Sequence, residues 1–218
     1  LVSVQNITKS FLDDLVLQDV CLDIAENDRI GLLGVNGAGK TTLLNIITGG
    51  LEPDAGAVTR ARNLEIGYLR QNDALDSAKT LDEEVREAFA KVYALRREMD
   101  DCFAALEKAP EDEALLARLD ELTVQFEAQD GYHLDDRIDR VLNGLGFGGF
   151  YRSTKVATLS GGEKMRFVIA KMLLRQPELL ILDEPTNHLD FSMLAWLEGY
   201  LDTYQGAVLV VSPDRYFL

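Results

Sequence analysis

Three groups of residues in this chain have the types and spacing to do chemistry. The first is Gly34-Val35-Asn36-Gly37-Ala38-Gly39-Lys40-Thr41, a G-x-x-x-x-G-K-T string that follows the apolar run Ile30–Leu33 and precedes the apolar run Thr42–Ile47. Glycines at 34, 37 and 39 let the backbone curl so that successive N–H groups converge, and a following helix turns its positive end toward the same point. Such a loop binds phosphate. Lys40 would bridge a β- and a γ-phosphate, and the Thr41 hydroxyl would ligate Mg²⁺. A Gly-rich turn with no ligand is the competing reading, but all four defining residues and both flanks agree with the phosphate loop.

The second group is Asp183-Glu184, two carboxylates at the end of the apolar run Leu179–Leu182. Asp183 is the expected partner of Thr41, holding Mg²⁺ through water, and Glu184 would polarise a water attacking the γ-phosphate. The third is Leu159-Ser160-Gly161-Gly162-Glu163, where Ser160 and Glu163 have capping-box spacing and open a helix that runs to about Arg175. That makes a second exposed helix N-terminus able to meet an anion. A carboxyl pair at a strand end says little alone, but these three groups in this order leave no room for coincidence.

The elements that must position them read as α/β. Val2–Phe11 and Leu15–Ile24 form a hairpin about Asp13-Asp14, and buried strands are expected near Arg29–Leu33, Leu179–Asp183 and Ala207–Val211. Short strands are expected near Ala57–Thr59 and Leu64–Leu69, after the breaker cluster Gly49–Gly56, and helices over Tyr132–Leu145 and Phe191–Tyr204. Phe11, just before the hairpin turn, is either a core or edge aromatic or a platform for a base.

Between these parts the character changes to helix. Leu81, Val85, Ala88, Val92, Leu95, Met99, Cys102 and Leu106 form a sustained heptad stripe, and Leu115, Leu119, Leu122 and Phe126 continue it after Pro110. Proline cannot sit inside a helix, so the two stripes are expected to face each other as an antiparallel hairpin. The organisation is therefore 1–79, 80–130 as the inserted hairpin, and 131–218. Residues 80–130 hold 15 acidic against 6 basic side chains, a net of −9 within a chain total of −15. The molecule as a whole should be repelled by nucleic acid, so any RNA contact would be local, and the acidic hairpin reads first as a solvated face. The six basic residues, Arg86, Lys91, Arg96, Arg97, Lys108 and Arg118, would have to gather on one side to bind RNA.

Cys21 and Cys102 form no metal or redox motif, His133 and His188 lack ligand spacing, and no apolar run approaches the roughly 18 residues of a membrane span. A cytoplasmic protein is expected. The first residue is Leu1 rather than Met, and Leu218 falls in what reads as the start of a helix, so a trimmed C-terminus is expected.

At this point the chain resembles the ATP-binding cassette (ABC) family over essentially its whole length. GVNGAGKT resembles its Walker A loop, which implies nucleotide contacts from Gly34, Asn36, Gly37, Ala38, Gly39, Lys40, Thr41 and Thr42. Gln71 resembles the Q-loop residue, implying nucleotide and Mg²⁺ contact. Leu179–Glu184 resembles the Walker B strand, with Glu184 catalytic and Asp183 a metal ligand through water. Asn187-His188-Leu189-Asp190 resembles the D-loop, and Phe11 would take the role of the adenine-stacking aromatic. The implied fold is a P-loop NTPase of ABC type, with an antiparallel β subdomain, a helical subdomain and an inserted α-helical hairpin, or arm. The string Asp183–Asp190, the string Asp214–Leu218 and the insertion are similar to the F-type subfamily (ABC-F). Those proteins carry two cassettes in one chain and no membrane domain, and several act on the ribosome in translation or antibiotic resistance. This chain resembles the first cassette.

The resemblance implies that two cassettes close head to tail. Ser160, Gly161, Gly162 and Glu163 would then face ATP held by a partner cassette, from the same full-length chain or a homodimer, and one cassette alone would bind ATP but hydrolyse it poorly. One position departs from the pattern. Where a histidine that contacts the γ-phosphate is usual, the chain has Pro213, which lacks a donor on side chain and backbone nitrogen. Slowed hydrolysis with retained binding is the expectation, and a neutral exchange is the alternative. The leading function is an ATP-driven switch associated with the ribosome or tRNA. The alternatives are the ATPase subunit of a membrane transporter and a weakly hydrolysing ATP-binding module.

Overall fold

The computed structural model describes residues 1–12, 14–68, 75 and 78–212, apart from the side chains of Phe150 and His188. By contact the chain divides into two compact units, Leu1–Ala74 with Ser160–Leu218, and Leu75–Leu159.

The first unit holds two sheets. β1 (Val2–Phe11) pairs antiparallel with β2 (Asp14–Ile24) on one side and with β4 (Ala55–Arg60) on the other. The expected hairpin is present, with the second strand starting at Asp14. The other sheet is parallel in the order β3 (Arg29–Leu33), β7 (Ala207–Ser212), β6 (Leu179–Asp183), β5 (Ile66–Tyr68). The apolar runs of β6 and β7 have no polar alternation because helices or another sheet cover both faces of a parallel sheet. Ile181 and Leu209 are fully buried. α1 (Lys40–Ile47) joins the two sheets: Leu44, Ile46 and Ile47 belong to one buried cluster with Val4 and Ile7 of β1 and with Ile181 and Leu209 of the parallel sheet.

Register fixes where the chemistry sits. Leu33 lies opposite Ser212, and Asp183 opposite Val211, so β3, β7 and β6 all end along one edge. In open α/β sheets, ligands bind at the carboxyl ends of the strands. The phosphate loop leaves β3 there, and the carboxylates leave β6 there.

Two arginines fasten helix ends in this unit. Arg60 of β4 donates from Nε to the Ile47 carbonyl and from Nη2 to the Ile46 carbonyl, both at 2.7 Å, which satisfies the open C-terminus of α1. Arg29 donates to the carbonyls of Leu201, Tyr204 and Gly206, where the helix Phe191–Asp202 ends and turns into β7.

The second unit is helical: α2 (Leu81–Ala88), α3 (Ala90–Leu106), α4 (Glu113–Ala128) and α5 (Leu134–Gly144), followed by 3₁₀ turns at Gly148–Ser153 and Val156–Thr158. α3 and α4 pack as the expected antiparallel hairpin, with Val92, Met99, Leu122 and Phe126 buried. The turn at Pro110 leads to Asp112, whose carboxylate accepts from the N–H groups of Ala114 and Leu115 to start α4.

The heptad stripe is not one helix. It breaks at Phe89 (φ −115°, ψ 24°), which ends α2 and begins α3. The physical reason is a change of partner. α3, with Val92 and Met99 buried, packs against α4, whereas α2 packs against Gly148–Ser153, and periodicity cannot see where one stripe passes from one neighbour to another. The entry and exit of the unit are tied together. The Leu81 N–H donates to the Thr154 carbonyl at 2.9 Å, and the Val156 N–H to the Lys79 carbonyl at 3.0 Å.

α6 (Gly161–Arg175) and α7 (Phe191–Asp202) return to the first unit. α6 begins at Ser160 as the spacing predicted, and its capping box is complete.

Candidate active site

The phosphate loop has the backbone its glycines predict. Gly37 (φ +83°) and Gly39 (φ +84°) are in the left-handed region, and Gly39 is the residue from which α1 starts. Gly39 also has no room for a side chain: a Cβ there would meet Leu17 at 2.8 Å and Val16 at 2.9 Å, so β2 backs directly onto the loop. The Ala38 N–H donates to the Val35 carbonyl at 3.2 Å, closing the turn. Lys40 curls over the loop, its Nζ 2.7 Å from the Gly34 carbonyl and 3.0 Å from the Val35 carbonyl. Around this turn Asn36, Gly37 and Ala38 are exposed, and Gly34 and Thr42 are half-buried, Thr42 in the first turn of α1.

Register brings the second group to the same place. Thr41 Oγ1 lies 3.4 Å from Asp183 Oδ2, across 142 residues of sequence. Asp183 is partly buried, and burial pushes its carboxyl above the usual range, with the adjacent Glu184 charge adding to the shift. The Thr41 hydroxyl and the Lys40 charge pull the other way, less strongly. A hydroxyl and a carboxylate oxygen side by side are hard donors of the kind Mg²⁺ takes, with substrate phosphates and water supplying the rest. Among the described residues no group of three or more His, Cys, Asp or Glu could hold a metal by itself.

Glu184 is held in an unusual way. Its φ of 49° and ψ of 52° are left-handed for a residue with a side chain, directly before Pro185. Such a backbone costs of order 1–3 kcal/mol and persists only where its surroundings impose it. Here the Glu184 N–H donates to the Val211 carbonyl at 2.9 Å, and Asn187 Nδ2 donates to Glu184 Oε2 at 3.0 Å. The carboxylate is therefore aimed by β7 on one side and by the turn Pro185–His188 on the other. Neither the left-handed backbone nor the Asn187 bond had a signal in the sequence. Asp190 closes the same segment, capping α7 by accepting from the Met193 N–H at 2.9 Å and from the Ser192 hydroxyl at 2.7 Å. The Met193 bond, then the Ser192 one, holds its carboxyl below the usual range.

Phe11 is 46% exposed at the end of β1, paired with Asp14, with Lys9 Nζ 5.7 Å from its ring centre. It ends the central strand of its sheet, on the hairpin whose Val16 and Leu17 back the loop at Gly39. Ser160 and Glu163 are engaged with each other at the start of α6. Gln71 and Pro213 lie outside the described residues. Among the described residues no helix is long and apolar enough to cross a membrane.

Comparisons with known proteins agree with this geometry. Residues 17–187 match the family model described as ABC transporter. The chain is 42% identical over 99% of its length to the tylosin resistance ATP-binding protein TlrC of Streptomyces fradiae, covering 40% of that protein. It is 39% identical over its whole length to ABC transporter F family member 5 of Arabidopsis thaliana, covering 32% of that chain. It is 37% identical over 93% of its length to the energy-dependent translational throttle protein EttA of Haemophilus influenzae, covering 36% of it. The chain thus spans about a third to two fifths of the length of these relatives. Among solved structures, the one titled "Dimeric Structure of MJ0796, a Bacterial ABC Transporter Cassette" superposes with a TM-score of 0.63 at 21% identity, over 100% of this chain and 90% of that one, a likeness of fold. Family model, relatives and fold agree: the chain belongs to the ABC transporter family of ATP-binding cassettes.

Proposed function

We propose that this cassette binds ATP with Mg²⁺ on the loop Gly34–Thr42 and, when a second cassette closes over it, hydrolyses it to drive a clamp-like switch on the ribosome. The observation that carries the reading is the junction of Thr41 with Asp183 at 3.4 Å, beside a Glu184 held in a strained backbone. In this reading the loop N–H groups and the N-terminus of α1 receive the phosphates, and Lys40 leaves the Gly34 and Val35 carbonyls to bind them. Thr41, Asp183 and Gln71 hold Mg²⁺, which when bound neutralises charge on the phosphates. Glu184, oriented by Asn187, draws a proton from the attacking water. Phe11 supplies a ring for the adenine.

The partner cassette has a place to act. Gly161 and Gly162 lie in the first turn of α6 with ordinary backbone, and a Cβ on either would meet nothing within 4 Å. Each glycine in a helix forfeits roughly 0.5–1 kcal/mol relative to alanine, and no described residue crowds either one. Close approach by an external body accounts for both, and the γ-phosphate held by a second cassette is the one proposed. The relatives are long enough to hold another cassette, and a solved structure of like fold is titled as dimeric.

Action on the ribosome draws on two relatives, one named for tylosin resistance and one for translational throttling. Co-sedimentation with ribosomes in a non-hydrolysable ATP analogue, lost in Lys40→Ala, is expected. Binding that ignores both nucleotide and Lys40 would count against the switch. Pro213 slows turnover in this reading, so Pro213→His is expected to raise phosphate release severalfold in the two-cassette protein. No change would make the exchange neutral.

A further inference from the structure

At the start of α6 one carboxylate takes both donors that Ser160 has. Glu163 Oε2 accepts the Ser160 backbone N–H at 2.8 Å and the Ser160 hydroxyl at 2.6 Å, while Ser160 Oγ accepts the Glu163 N–H at 3.4 Å. The hydroxyl bond first, and the backbone bond second, hold the Glu163 carboxyl below the usual range, so it is ionised at neutral pH. A serine hydroxyl has one proton to give. A phosphate arriving at this helix end therefore meets a hydroxyl already committed and a negative charge in the same turn whose N–H groups would receive it. Gly161 and Gly162 leave the approach open on their side. Glu163 opposes it.

We infer that Glu163 is a built-in brake on ATP-driven closure: it keeps the Ser160 hydroxyl in an internal bond and repels the phosphate carried by the partner cassette. This rests on the reading of the Ser160–Glu163 turn as the far wall of the partner's site. It adds that the turn binds phosphate less tightly than its own N–H groups and hydroxyl allow. Closure requires the Ser160 hydroxyl to turn from Glu163 to the phosphate. Glutamine at this position can accept the same two bonds through its amide oxygen while carrying no charge. Aspartate keeps the charge but is shorter by one carbon and weakens the reach back to Ser160.

The test uses the chain carrying Glu184→Gln, to prevent turnover, and sedimentation velocity with Mg²⁺ and ATP at low and high salt. Adding Glu163→Gln is expected to tighten ATP-dependent self-association about tenfold, as loss of a close like charge should, with the gain shrinking as salt screens it. Adding Glu163→Asp is expected to give no gain. A residue that only caps the helix predicts the opposite: no tightening with Gln, a loss with Asp, and no dependence on salt. If the parent associates with ATP and Glu163→Gln associates no more tightly, the brake is overturned while the clamp reading stands. If the parent shows no ATP-dependent association at any concentration, the clamp reading fails and the brake falls with it.

Discussion

At Asp183 the needs of folding and of the proposed cation pull in opposite directions. Burial, then the charge of Glu184, push its carboxyl upward, so the folded state resists the ionised form that a cation needs. A carboxyl whose folded value is raised contributes least once it ionises: stability falls as pH rises from about 4, the unfolded value, through the raised one. Asp183→Asn keeps a partner for the Thr41 hydroxyl and removes that charge. It is expected to raise the thermal midpoint at neutral pH, by about 2–4 °C for each kcal/mol relieved in a chain of this size. It should also flatten the pH dependence above about 4 and abolish Mg²⁺-dependent nucleotide binding. Scanning calorimetry across pH with parallel nucleotide titration checks both halves, and a lower midpoint at neutral pH would show that the carboxylate is structural. Residues of this site were legible because each sits at a fixed offset in a short string: Lys40 and Thr41 after their glycines, Asp183 after four apolar residues. The left-handed backbone of Glu184 and its bond from Asn187 were not, because they depend on Val211 in another strand.

Elements in this cassette are held mainly at their ends. α1 is only eight residues long and would be marginal alone, yet its N-terminus has to present N–H groups in a fixed direction. Its far end is fastened by Arg60, from a strand in the other sheet. Arg60→Ala removes two charge-assisted bonds at a partly solvated site and is expected to destabilise the chain by about 1–2 kcal/mol. Weaker ATP binding is expected with it, as the first turn of α1 loses its support. Arg60→Lys, which can reach one carbonyl, should recover part of each. Denaturant melts and nucleotide titration on the same samples decide the matter, and full stability in Arg60→Ala would remove Arg60 from the account. Nothing in the string Val58-Thr59-Arg60 hinted at this, since the partner carbonyls lie thirteen and fourteen residues away. The hairpin of α3 and α4 was legible because its stripe and Pro110 are local signals. The break at Phe89 was not, because it marks where the stripe changes neighbours. A capping box at Thr80–Glu83 completes the start of α2 as Ser160–Glu163 completes α6.

As a whole molecule the cassette is acidic, and three of the six basic residues in 80–130 are paired with carboxylates of the helical unit. Arg118 pairs with Glu98 and Glu121, Arg96 with Asp135, and Arg86 with Asp82. Exposed pairs of this kind add little stability, but they offset the charge of Arg86, Arg96 and Arg118 toward RNA. Contact with a ribosome through this unit is accordingly proposed to be local. The central claim is that the loop at Gly34–Thr42 has its own wall in Asp183 and Glu184 and needs a second cassette for the other. Phosphate release per chain, measured with Mg²⁺ and ATP over a wide range of protein concentration, tests it most directly. The account predicts that turnover per chain climbs with concentration as pairs form and disappears in Glu184→Gln. Turnover per chain that stays constant on dilution would contradict it.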